Sequence, residues 1–171
     1  MGEAISAASL QQRLLDAGAT VATAESLTGG LLGARLTSVP GSSAVYVGGL
    51  VTYATALKVS LLGVPESVVA GPGVVSAECA EAMASGVRRL TGATYGVSTT
   101  GVAGPEEQEG KPAGTVYVGI AGPTSRTSVS LALSGDREAV RSLTVEAALS
   151  ALGELVSTDS RMWVGEETPL G

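Results

Sequence analysis

The chain contains no histidine, and that absence excludes much familiar catalytic chemistry. A Ser-His-Asp triad, a Cys-His pair and a His-ligated metal centre all need an imidazole, so none can be built from these residues. Phenylalanine is missing too, and aromatics are 3% of a sequence that is 44% hydrophobic. The core must then be filled by Val, Leu, Ile and Ala, which suits helices packed on a sheet rich in β-branched residues. A single cysteine, Cys79, rules out an internal disulfide and makes a reducing, cytoplasmic setting the expectation. Its helical spacing with Met83 and Val87 reads as that of a small core hydrophobe. No unbroken apolar run reaches the roughly 18 residues of a membrane span. The N-terminus lacks a basic segment leading into an apolar one, so no secretory signal is expected. Net charge is −6 and the basic residues are scattered, which argues against a nucleic-acid surface. Only two lysines occur, Lys58 and Lys111.

What is present suits one domain of 171 residues, with 24 glycines that follow no collagen-like period. Apolar spacing predicts a helix over 5–17, stopped by Gly18. A short buried strand over 20–24 delivers Glu25 and Ser26 to a turn, after which a helix opens with Gly29-Gly30 in its first turn and continues over 31–36. A loop at 39–43 precedes a strand over 44–53, where Gly48-Gly49 signal a bulge or a close backbone approach. A helix over 55–62 carries Lys58 and ends at Gly63, with another helical turn at 65–69. Ser76 is the expected cap of a helix running to about Leu90. A strand over 94–99 ends in the corner Thr100-Gly101-Val102-Ala103-Gly104-Pro105, and 106–112 reads as a polar, mobile loop. Strands over 114–121 and 125–133 form a hairpin. Asp136 then caps a helix to about Val156. Residues 1–157 are expected to form the domain and 158–171 a tail, in which Trp163 either clasps a neighbouring surface or packs loosely. Five strands and about five helices in this order imply one mixed sheet with helices on both faces.

Two loops lie at strand C-terminal ends, where open α/β sheets bind their ligands. Glu25 to Gly30 and Thr100 to Pro105 offer glycines and hydroxyls able to cradle a phosphate or an oxyanion through backbone N–H groups. Candidate substrate-binding residues are therefore Glu25, Thr28, Gly29, Gly30, Thr100, Gly101 and Gly104. Ser26 stands where a helix-capping hydroxyl and a nucleophile are both possible. Without histidine, the natural activator of a serine hydroxyl is a partly buried lysine, because burial lowers its pKa and frees the amine to accept a proton. Lys58, on a mostly apolar helix just after a strand, is that candidate; the other reading is a solvated surface lysine. Tyr53 could relay a proton, hydrogen-bond substrate, or simply border the core.

These motifs have a pattern in common. Ala24-Glu25-Ser26-Leu27-Thr28-Gly29-Gly30, Val39-Pro40-Gly41-Ser42-Ser43, and Tyr53 to Lys58 followed by Leu61-Leu62-Gly63-Val64-Pro65 closely resemble the CinA C-terminal domain family. Thr100 to Pro105, Lys111-Pro112-Ala113-Gly114-Thr115-Val116 and Ser134-Gly135-Asp136-Arg137 continue the match in the family's order, over about residues 5–156. The resemblance implies an α/β fold: a three-layer α/β/α sandwich on a five-stranded mixed sheet, like an anticodon-binding domain. It implies hydrolysis of nicotinamide mononucleotide to nicotinate mononucleotide and ammonia, with Ser26 as nucleophile and Lys58 and Tyr53 as its catalytic companions. Arg137 and Thr100 are candidates for gripping the phosphate, Arg137 being otherwise a surface arginine loosely paired with Asp136 or Glu138. No metal or other cofactor is implied, the partner is the small-molecule substrate rather than a nucleic acid or a membrane, and a homodimer is expected. Larger family members add an N-terminal domain linked to pyrophosphatase activity, which these residues do not include. Two departures stand out: Gly104-Pro105 leads into Glu106-Glu107-Gln108-Glu109 where Gly-Gly and a longer loop are common, and Pro72-Gly73 replaces a frequent His-Gly. The acidic stretch keeps open a non-catalytic nucleotide-binding or protein-interaction module, and a different small amide is a third possibility.

Overall fold

A computed structural model describes residues 4–164. Ser6 caps α1 (Ala7–Asp16), its Oγ accepting from the Ser9 N–H at 3.1 Å, and Gly18 turns the chain out at φ 60°. The strands are β1 (Val21–Glu25), β2 (Tyr46–Val51), β3 (Tyr95–Gly101), β4 (Thr115–Ala121) and β5 (Arg126–Ala132). They form one sheet in the order β2-β1-β3-β4-β5, with β1 parallel to β2 and β3, and β4 antiparallel to β3 and β5. This is the mixed sheet expected of a parallel start followed by a hairpin.

Alternation along the strands assigns the two helical layers. Val21, Val97, Val118 and Ile120 pack with Leu10 and Leu14 of α1, Leu32 and Leu36 of α2 (Leu31–Thr37), and Leu149 and Leu152 of α6 (Arg137–Val164). Ala22 and Ala24 pack with Leu62 of α3 (Thr55–Leu62) and with Cys79, Met83 and Val87 of α5 (Ala77–Thr91), while Val68 and Val69 of α4 (Glu66–Ala70) lean on that cluster. The result is a three-layer α/β/α sandwich. Gly48-Gly49 do mark a bulge, since Val21 pairs with Tyr46 but Ala22 with Gly48. A Cβ on Gly49 would collide with the Thr23 hydroxyl, so the approach is close as well. No helix among the described residues is long and apolar enough to cross a membrane.

Three sequence expectations are corrected. The helix after Ser26 does not open at once: Gly29 and Gly30 take φ 58° and 106°, which a right-handed helix cannot hold, and α2 begins only at Leu31. The last helix runs past Val156 to Val164, held by buried Val156 and by Asp159, whose carboxylate accepts from the Tyr95 hydroxyl. Residues 165–171 of the expected tail lie outside the described residues. The loop 106–112 is anchored rather than loose: Glu109 accepts from the Val74 and Val75 N–H groups at 3.2 and 2.9 Å, and Lys111 donates to the Val75 carbonyl.

Candidate active site

Parallel pairing sets the C-terminal ends of β1 and β3 side by side. The Ser26 N–H donates to the Thr99 carbonyl at 3.0 Å, so the residue after β1 stays registered on β3. On the other side the Thr52 N–H donates to the Glu25 carbonyl at 2.9 Å, extending the β1–β2 pairing one residue beyond β2. Ser26 is thus held between two neighbouring strands, and α3 begins three residues after Thr52.

Glu25 is not in the cavity. It is 2% exposed, and its Oε1 accepts from the Thr28 hydroxyl at 2.6 Å and from the N–H groups of Gly30 and Leu32 at 3.2 and 2.8 Å. Its Oε2 accepts from the Gly33 N–H at 3.0 Å. A carboxylate one residue ahead of the turn therefore satisfies the free N–H groups that open α2, and Ser26 is not their cap. Thr28 is buried with its hydroxyl shared between Glu25 and Thr99, while Gly29 and Gly30 turn toward Arg141 and Val51. These four residues shape the turn and do not line the cavity. Arg141 completes that turn and was not anticipated: its Nε and Nη2 donate to the Leu27 and Thr28 carbonyls, each at 3.0 Å. It lies one helical turn beyond Arg137, so spacing along α6 was the available signal.

A cavity of about 420 Å³ opens at these strand ends. Ser26, Tyr53, Lys58, Thr100, Gly101, Gly104 and Arg137 all line it, as do Glu106 and Glu107. Lys58 is 1% exposed, and its Nζ makes three contacts: 2.6 Å to the Thr52 carbonyl, 3.3 Å to the Tyr53 carbonyl and 3.1 Å to Ser26 Oγ. Burial lowers its pKa, opposed in part by Cys79 and Glu109. Cys79 is itself buried, which pushes its thiol up to about 11, so it remains a core side chain. Thr100 spends its hydroxyl on the Val74 carbonyl at 2.7 Å. Arg137 spans the mouth, donating from Nη1 to the Gly104 carbonyl at 2.6 Å and from Nη2 to the Tyr53 hydroxyl at 2.9 Å. Among the described residues, the backbone N–H groups of Leu27, Ala103 and Gly104, all in cavity-lining residues, have no protein acceptor. Among the same residues no cluster of three or more Cys, Asp or Glu side chains could hold a metal ion.

Chemically the arrangement pairs a hydroxyl with a buried amine beside unspent backbone donors. The two carbonyls take two of the amine's hydrogens; in the neutral form the lone pair is left toward Ser26 Oγ, as a base requires.

The family model for the CinA C-terminal domain matches residues 3–156. A CinA-like protein of Frankia casuarinae is 51% identical over 144 residues, covering 84% of this chain and 33% of the relative. A CinA-like protein of Myxococcus xanthus is 48% identical over 137 residues. The chain spans about a third of the length of these curated relatives. Among solved structures, a competence-damaged protein (CinA) superfamily protein of Klebsiella pneumoniae superposes with TM-score 0.83 at 34% identity, covering 90% of this chain and 99% of that one. A superfamily member from Escherichia coli gives TM-score 0.85 at 31% identity, covering 91% and 93%.

Proposed function

The chain belongs to the CinA C-terminal domain family, and we propose that it is an amidohydrolase converting nicotinamide mononucleotide and water to nicotinate mononucleotide and ammonia. The observation that carries this reading is the buried Lys58 amine 3.1 Å from Ser26 Oγ, aimed by two main-chain carbonyls. Neutral Lys58 takes the proton from Ser26 as Oγ attacks the carboxamide carbon. The C=O bond opens to an oxyanion, received by the free N–H groups of Leu27, Ala103 and Gly104; one such donor is typically worth about 3 kcal/mol. Lys58 passes its proton to the departing nitrogen, the C–N bond breaks, and ammonia leaves an acyl-Ser26 ester. Water, deprotonated by Lys58, then attacks the ester carbon, and the proton returns to Ser26 as nicotinate departs. No cofactor enters the cycle. Arg137, pre-set by Gly104 and Tyr53, is the cation positioned to meet a phosphate at the mouth. The unit that carries the reaction is the single domain over 1–157, with α6 extending it, and a two-fold homodimer belongs to the same proposal; light scattering tests the latter.

Purified protein incubated with nicotinamide mononucleotide should release ammonia, and Ser26→Ala and Lys58→Ala should each abolish release. Binding without turnover anywhere from about pH 7 to 10, across which a lysine base becomes neutral, would overturn the reading. One observation favours a rival: Glu106 and Glu107 line the cavity and repel a phosphate. A non-catalytic module that binds a less anionic ligand fits them, and that same turnover assay separates the two. Run over a panel of small amides, it also finds a different substrate.

A further inference from the structure

A second cavity, of about 880 Å³, lies at the other end of the sheet, where β1 and β3 begin. It opens between the turn after α1, the β4–β5 hairpin and the last turns of α6. Its volume falls in the range of roughly 300–1,000 Å³ typical of small-molecule sites. Asp159 on its wall is 6% exposed, and the Tyr95 hydroxyl donates to its Oδ2 at 2.8 Å. The other oxygen, Oδ1, is buried and has no donor among the described residues. A carboxylate kept in the protein with one of two oxygens unpaired is incompletely compensated, and a charged N–H donor is the group that completes it.

The remaining lining narrows the ligand. Asp16 adds a second carboxylate, and among the described residues no lysine or arginine lines the cavity. Two carboxylates without a cation repel an anion, while a wholly apolar ligand leaves Oδ1 unpaired. Met162 and Trp163 supply exposed apolar surface, Trp163 being 76% exposed. An indole face attracts a cation and buries hydrocarbon. From this geometry we propose that the cavity binds a small organic cation, with an ammonium head at the Asp159 carboxylate and an apolar body against Met162 and Trp163. Nothing in the amidase reading depends on this site.

Trp163 is the only tryptophan in the sequence, so its emission reports occupancy. The chain would be titrated with 4-phenylbutylamine, and with 4-phenylbutanol and 4-phenylbutyrate as neutral and anionic counterparts. The expected result is a saturable change for the amine, at least tenfold tighter than for the alcohol, and none for the acid. Asp159→Asn should reduce the amine to the alcohol's affinity while ammonia release stays at its wild-type value. Tyr95→Phe, which keeps the carboxylate, should keep the preference for the amine. Equal affinities for amine and alcohol, or an amine response that survives Asp159→Asn, would overturn the proposal. So would the lack of a saturable amine response up to about 10 mM, a weak limit for a ligand of this size. Should Asp159→Asn fail to fold, the wild-type ranking of the three ligands decides alone.

Discussion

Replacing Glu25 by Gln tests how the nucleophile's turn is held. The carboxylate accepts four hydrogen bonds, three at Oε1 and one at Oε2. With its amide carbonyl at the Oε1 position, Gln keeps three of these as weaker, neutral bonds. Its NH2 then meets the Gly33 N–H, donor against donor, and an orphaned buried donor costs about 1–3 kcal/mol. Loss of the negative charge at the start of α2 removes up to about 2 kcal/mol more in a buried geometry. Gln also avoids the cost of burying a charge, which offsets part of the sum. A net destabilisation of about 3 kcal/mol remains, and at about 2–4 °C per kcal/mol for a chain of this size the midpoint falls by about 6–12 °C. Thermal unfolding followed by circular dichroism measures it, with Glu106→Gln on the cavity wall as a control expected near the wild-type midpoint. Ammonia release should fall in kcat more than in KM, because Ser26 follows Glu25 directly while the cavity's other walls are untouched. A midpoint within about 2 °C of wild type would refute the assignment of this carboxylate to the opening of α2, since one lost buried hydrogen bond already exceeds that shift.

Lys58 titrates below the ordinary lysine range because burial disfavours its charged form. Between that lowered value and about 10.4 the unfolded chain binds more protons, so this residue's contribution to stability rises with pH. Urea midpoints from pH 7 to 10 should therefore climb for wild type relative to Lys58→Met, and a parallel pair of curves would contradict the burial. The kcat/KM for ammonia release should rise over the same window and level off below the ordinary lysine pKa. Gly86→Ala should destabilise by about 1–3 kcal/mol, as overpacking does, because a Cβ there meets the Leu62 carbonyl at the end of α3. It should lower kcat as well, since α3 carries Lys58; unchanged denaturation and kinetics would show that α3 yields freely. Arg141→Met should lower kcat through the Leu27 and Thr28 carbonyls it holds, and unaltered kinetics would remove it as a positioning residue.

Much of this molecule was legible before its structure. The helix over 55–62 coincides with α3, Gly63 ends it at φ 67°, and Ser76 caps α5 through the Cys79 N–H. Those features are set by local spacing and stop signals, which a linear sequence carries. Lysine's rarity and histidine's absence single out Lys58, and its amine stands against Ser26. The destination of Glu25 was hidden for a different reason. Where its carboxylate goes depends on where the α2 N–H groups point, and that follows from two left-handed glycines whose angles no periodicity reveals. Composition likewise made 106–112 look loose, yet Glu109 binds N–H groups 34 and 35 residues away. Contacts at that separation decide order independently of local polarity. The helical continuation past Val156 was missed because Asp159, a polar residue in an expected tail, is buried against Tyr95.

The two acceptors that aim Lys58 are main-chain carbonyls, those of Thr52 and Tyr53. Side-chain replacement at either position leaves the carbonyl in place, so mutational drift there can retune substrate fit without touching the amine's direction. Insertion or deletion is another matter. One residue added or lost between Thr52 and Lys58 would carry the amine round the helix by about 100° at 3.6 residues per turn, away from Ser26 and both carbonyls. Related sequences should therefore keep the length of this six-residue interval.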